Sequence, residues 1–143
     1  MKKLENRIAI VTGAASGMGK ATAKKMAEYG AKVNIIDFSP EIMIYAEELR
    51  NKGYEATGYQ ADVRDSARLK EIYKEVFHKY GRIDAVVNAA GVAVFTDFTD
   101  DSIDAEAHRE IDINYFGVWN SCRAAAPYMK EAKYGKIVNF SSV

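Results

Sequence analysis

The chain has 143 residues, of which 48% are hydrophobic and 28% charged, which suits one folded α/β-sized domain and excludes a disordered tail or a pair of domains. Twenty Lys plus Arg balance twenty Asp plus Glu, so no charge surplus points to nucleic acid or to an anionic membrane as partner. The single cysteine, Cys122, cannot form an internal disulfide, and neither a signal-peptide apolar core nor a run near the ~20 residues of a membrane span is present, so a reducing, cytoplasmic setting is expected.

The first predicted element is the apolar run Ile8-Ala9-Ile10-Val11, suited to a strand buried on both faces of a parallel sheet. A helix follows, with Met18, Ala21, Thr22, Lys25, Met26 and Tyr29 at i, i+3, i+4 spacing as its expected inner face and Gly30 as its stop. The β-branched run from Val33 to Asp37 predicts a second strand, and Ser39 as N-cap with Pro40 at the first helical position opens a helix that buries Ile42, Tyr45, Ala46 and Leu49. A weaker strand is expected over 54–59. Leu69, Ile72, Tyr73, Val76, Phe77 and Tyr80 then form a helical stripe ended by Gly81. A fourth strand covers 85–88. From Ile111, the positions Tyr115, Val118, Trp119, Cys122, Ala125, Ala126 and Met129 are expected on one face of a long helix, kinked or tightened at Pro127 but continuing past it. A fifth strand follows over 135–140. Strict βαβα alternation implies a doubly wound parallel sheet with right-handed crossovers.

Between the first strand and its helix lies Thr12-Gly13-Ala14-Ala15-Ser16-Gly17-Met18-Gly19, a G-x-x-x-G-x-G loop. Glycines allow a tight turn and a close approach of backbone N–H groups to a pyrophosphate, while the helix that follows presents its unsatisfied N-terminal donors and positive dipole end to the same anion. Asp37 closes the second strand 18 positions after Gly19, where a dinucleotide fold places an acid on the adenosine ribose diol. A carboxylate there repels a 2′-phosphate, and neither Ser16 nor Phe38 supplies a cation for one, so NAD is expected over NADP.

Four signatures in order make the chain resemble the N-terminal part of a short-chain dehydrogenase/reductase: the glycine loop, Asp62-Val63, Asn88-Ala89-Ala90-Gly91, and Ile113-Asn114 with Val138-Asn139-Phe140-Ser141-Ser142. The resemblance implies one Rossmann-type NAD(P)-binding domain over 1–143, with five strands present and the family's C-terminal strands and helices missing. It also implies hydride transfer between NAD and a small-molecule alcohol or carbonyl substrate. On this resemblance, the backbone around Gly13, Ser16, Gly17, Met18 and Gly19 holds the pyrophosphate, and Asp62 and Val63 bracket the adenine. Asn88, Ala89 and Gly91 border the cofactor. Ala89 stands where the family more often has a second Asn, which removes any contact made by that side chain.

The family's serine, which polarises the substrate oxygen, matches Ser142, and its water-organising asparagine matches Asn114. Its tyrosine and lysine, in Y-x-x-x-K spacing, have no counterpart, because none of the nine tyrosines is followed four positions on by a lysine. The sequence therefore reads as a truncated enzyme that is inactive alone, with the fifth strand and the long helix left uncovered and a homo-oligomer expected when intact. A noncatalytic dinucleotide-binding module is the alternative, and a flavodoxin-like domain sharing only the layer order is a weaker one.

No metal site is expected: His78 and His108 have no ligand partner at metal spacing, and Asp97, Asp100, Asp101 and Asp104 lack a calcium-loop pattern and suit solvated helix caps. Cys122 is expected to pack as a buried thiol, and Trp119 with the tyrosine stripe to serve core or interface.

Overall fold

In the computed structural model, which describes residues 2–95 and 97–141, the apolar runs form parallel strands β1 (Ile8–Thr12), β2 (Lys32–Asp37), β3 (Ala56–Gln60), β4 (Ala85–Asn88) and β5 (Lys136–Asn139). They lie in one sheet in the order β3-β2-β1-β4-β5. The chain therefore winds outward from β1 to β3, then crosses back to place β4 on the other side of β1. The register sets Val11 beside both Ile35 and Val87, and Thr12 beside Asn88. Ser142 and Val143 lie outside the described residues, so the expected serine has no structural account.

Side chains alternate along each strand, and that alternation builds two cores. Ile8, Ile10 and Ile36 pack beneath α3 (Ser66–Tyr80) and α5 (Gly117–Ala132), against Leu69, Ile72, Tyr73, Val76, Ala125 and Met129. On the opposite face Ala9, Val11, Val33 and Ile35 meet α1 (Gly17–Glu28) and α2 (Glu41–Asn51) through Ala23, Ala27, Ile42, Tyr45 and Leu49. At the amino ends of the strands, buried Asp84 accepts the Ile8 N–H at 2.9 Å and pairs with Arg7 and Arg82, pinning β4 to β1.

Helix α2 follows its sequence signals, since Ile42, Tyr45, Ala46 and Leu49 are buried and the Ser39 hydroxyl accepts the Glu41 N–H. Helix α3 does too: Asp65 caps it by accepting the Arg68 N–H, and Gly81 ends it at φ +72°. The inner face of α1 is different from the expected one. Gly19, Ala23 and Ala27 are buried, whereas Met18 and Tyr29 are exposed. Small side chains let this helix lie close on the sheet, so the periodicity of the larger residues marks its flank.

The long helix also departs from expectation. It begins earlier, as α4 (Asp104–Ile111), passes through a π-helical turn at Asp112–Phe116, and continues as α5. The wider turn shifts the helical register. Gly117, Ser121, Ala124, Ala125 and Met129 thus form the buried face, while Tyr115 and Trp119 are exposed instead of sharing it. Pro127 sits on the exposed side, and the helix continues past it to Ala132. All four residues of β5 are exposed, in keeping with its place at the edge of the sheet.

Candidate functional site

A cleft of about 450 Å³ opens at the carboxyl ends of the strands, where β1 and β4 adjoin and the winding reverses direction. Its walls are the glycine loop, Asp37 and Phe38, the segment 61–64 and the segment 89–92, with Arg109 and Ile113 reaching in from α4 and the π turn.

Thr12 is buried at the end of β1, and its hydroxyl accepts the Ala90 N–H at 3.4 Å, tying the loop to the segment after β4. Gly13 turns the chain with φ +66°, and a Cβ there would fall 2.5 Å from the Ala90 backbone nitrogen. Gly17 also has positive φ, +52°, but a Cβ built on it meets nothing within 4 Å. The loop thus keeps open space over the start of α1. Ser16 occupies the N-cap position without a side-chain capping bond, leaving the first-turn amides of α1 for a ligand. Ser16, Gly17, Met18 and Gly19 all line the cleft, so an anionic group of pyrophosphate size has both room and donors.

Asp37 is held by backbone amides: Oδ2 accepts from Ala15 N and Oδ1 from Ser39 N, both at 2.9 Å. Each oxygen retains another acceptor position for a ligand hydroxyl. Farther along, Asp62 forms a two-point pair with Arg64, whose Nη2 lies 2.6 Å from Oδ2 and whose Nε lies 3.0 Å from each oxygen. These bonds hold the Asp62 carboxyl below the usual carboxylate range, and Arg109 adds a smaller effect of the same sign. Arg109 is itself paired with Glu106 at 3.3 Å.

The other expected site residues divide by position. Gly13, Ser16, Gly17, Met18, Gly19, Asp37, Asp62, Val63, Ala89 and Gly91 line the cleft together. Asn88 lies beneath it: its Nδ2 donates to Asn139 Oδ1 at 2.8 Å and its Oδ1 accepts from Ser121 at 2.5 Å. Tyr73 completes this chain 2.6 Å from Ser121. Because the Ser121 proton goes to Asn88, the Tyr73 hydroxyl is the donor to Ser121.

Asn114 is in the π turn, where its Oδ1 accepts the Val92 N–H at 2.8 Å and its Nδ2 donates to the Val92 carbonyl at 2.7 Å. It borders a second cavity, of about 320 Å³, with Trp119, Cys122, Phe140 and Ser141. Burial pushes the Cys122 thiol up, away from thiolate chemistry. Asp97 and Asp100 accept backbone N–H groups from Thr99 and Ser102, as solvated caps do.

The sequence gives no part in the cleft to Arg64 or Arg109; Phe38 enters only as lacking a cation, and Ile113 only within the Ile113-Asn114 signature. Arg64 was detectable beside Asp62-Val63, and Arg109 with Ile113 at i, i+4 spacing. Nothing local signals that those two face a loop so far back in the chain.

A parallel sheet wound in both directions from β1, with a glycine loop at the reversal, defines a Rossmann-like α/β protein. The chain belongs to the short chain dehydrogenase family, whose model matches residues 7–143. It is 43% identical to oxidoreductase UcpA of Escherichia coli (strain K12), over 143 residues that make up all of this chain and 54% of that protein. It is 36% identical over 142 residues to the 2,3-dihydro-2,3-dihydroxybenzoate dehydrogenase of Bacillus subtilis (strain 168), covering 99% of this chain and 54% of that one. The solved structure of carveol dehydrogenase from Mycobacterium avium in complex with NAD superposes with a TM-score of 0.90 at 28% identity, covering 99% of this chain and 56% of that one. The chain spans about half the length of the curated relatives it matches.

Proposed function

We propose that this chain is the cofactor-binding part of an oxidoreductase that transfers a hydride between NAD and a hydroxyl or carbonyl substrate. The observation that carries this reading is Asp37, anchored by two backbone amides at the cleft wall with acceptor positions left over for the ribose diol. A 2′-phosphate in its place would meet a carboxylate. The arginines of the cleft are already engaged, Arg64 with Asp62 and Arg109 with Glu106, which also favours NAD over NADP.

Bound dinucleotide supplies the carbon that gives or takes the hydride. The chain's own residues bind and orient it: the loop amides around Gly17 hold the pyrophosphate, Asp37 the ribose, and the 89–92 backbone the side toward the substrate. Ser142 is assigned to the substrate oxygen, by resemblance. Asn114 has its side chain committed to Val92, so it braces the π turn against the cleft wall.

A proton must accompany the hydride, and free tyrosine, with a pKa near ~10, needs a nearby cation to carry it at neutral pH. The 143 residues contain no Y-x-x-x-K, so we infer that they bind cofactor without turning over, which keeps a noncatalytic dinucleotide-binding module as the second reading. Self-association follows from the exposed aromatic residues of the π turn and α5, and a reducing cytoplasm suits the lone thiol.

Fluorescence titration of the purified protein with NADH and NADPH tests the assignment. NADH is expected to bind at least about tenfold tighter, and Asp37→Ser to narrow the gap. Equal affinities would remove the preference for NAD; no binding of either would remove the function.

A further inference from the structure

We infer that Asn120 is a positioning residue for the dinucleotide: from α5 it fixes the turn that follows β3, and Gly117 gives that turn its seat. This rests on the dinucleotide reading above and deepens it.

The turn lies where the sheet no longer supports the chain. The ladder between β2 and β3 ends with Gln60 beside Asp37, after which the Ala61 N–H donates to the Asp37 carbonyl at 2.9 Å. Beyond that point the Asp65 N–H closes the turn on the Asp62 carbonyl at 2.9 Å, and α3 begins at Ser66. The carbonyls of Val63 and Arg64 are both taken by one side chain from a distant helix: Asn120 Nδ2 donates to them at 3.1 and 3.3 Å. Carbonyl oxygens only accept, so the amide has one orientation here, with both hydrogens of Nδ2 spent on the turn.

Nearly one helical turn earlier, Gly117 is buried against Val63. A Cβ built on it would fall 2.5 Å from Val63 Cγ2, so the missing side chain is what lets the helix meet Val63 this closely. The π turn just before it carries Asn114, which is bonded to the Val92 main chain at 2.8 and 2.7 Å. One stretch of helix, 114–120, therefore holds segments on two walls of the cleft, 61–64 and 89–92. Water could satisfy the Val63 and Arg64 carbonyls almost as well, so the main effect of the Asn120 bonds is on where the turn sits.

The sheet order β3-β2-β1 sets this turn, Asp37 and the glycine loop side by side along the cleft. An anion at the loop and a ribose on Asp37 direct the rest of the nucleoside over the turn, where a displacement of about 1 Å costs affinity.

Calorimetric titration of the purified protein with ADP-ribose and NADH tests this, with a melting curve of each variant recorded without ligand. Asn120→Ala is expected to weaken both ligands by the same factor, roughly fivefold, the worth of about one net hydrogen bond. Asn120→Asp should weaken them further, because it turns carboxylate oxygens on two carbonyl oxygens. Gly117→Ala should act on the same two ligands by displacing Val63.

A lower melting temperature with unaltered affinity for both ligands would make Asn120 a structural residue only and overturn the inference. Loss confined to NADH overturns it in favour of an effect at the nicotinamide end. Native affinity in Asn120→Asp would show that the amide bonds do not set the turn. If Gly117→Ala does not fold, the two Asn120 variants decide alone. If the native protein binds neither ligand, the dinucleotide reading falls and this inference with it.

Discussion

Gly13 and Gly17 share a left-handed backbone but serve different ends. At Gly13 a methyl group would collide with the Ala90 backbone, so a substitution there pushes the loop away from β4. At Gly17 the space is empty, and a methyl group would occupy the place where the cleft admits an anion. Gly17→Ala is therefore expected to cost about 1–2 kcal/mol for its positive φ, seen in urea denaturation, and to weaken NADH by a larger factor than that loss suggests. Unchanged NADH affinity in a folded Gly17→Ala protein would show that the open space is not where phosphate sits. The glycine spacing and Asp37 were legible because a tight turn and a ribose acceptor each demand particular residue types. The pairing of Asp62 with Arg64 was not, because it depends on which rotamer Arg64 adopts.

Helix α3 and helix α5 are joined to the sheet by the chain of bonds from Tyr73 through Ser121 and Asn88 to Asn139. Tyr73 is wholly buried, and that burial pushes its phenol well above the ordinary value. The phenol therefore stays protonated in the fold while the unfolded chain loses its proton near pH ~10, so stability is held below that pH and falls as the pH rises above it. Tyr73→Phe should lower the neutral-pH stability by about 1–2 kcal/mol and make the alkaline decline shallower. Urea midpoints measured from pH 7 to 11 would check both; an equally steep decline in the variant would place the titration elsewhere, at Tyr45 or Tyr59. Sequence pattern located α3 well because its large apolar residues are also its buried ones. In α1 the small residues face the sheet, so periodicity marked its flank; around the π turn Tyr115 and Trp119 leave the buried face, while Ala125 and Met129, expected on it, are buried.

Across the whole molecule, the sheet is covered by helices on both faces, but the side beyond β4 is open. Trp119 is 50% exposed and Tyr115 60%, and Trp119 shares a cavity with Phe140 just after the edge strand β5. Apolar surface of this kind drives association, so light scattering should show a mass that rises with concentration, and Trp119→Ser should shift the equilibrium toward the monomer. A concentration-independent monomer mass would mean that this surface is tolerated in water. The alternation of strands and helices, the glycine loop and the acid that ends β2 were determined by sequence alone, because hydrophobic period, turn chemistry and cap residues act within a few positions of one another. Only the tertiary structure decided that Arg109 and Ile113 face the glycine loop, that Asn88 braces the floor through Ser121 and Tyr73, and that Asn114 spends its side chain on Val92. Those contacts join residues that lie more than a helix apart in the chain, and no local pattern encodes what a distant element will place opposite.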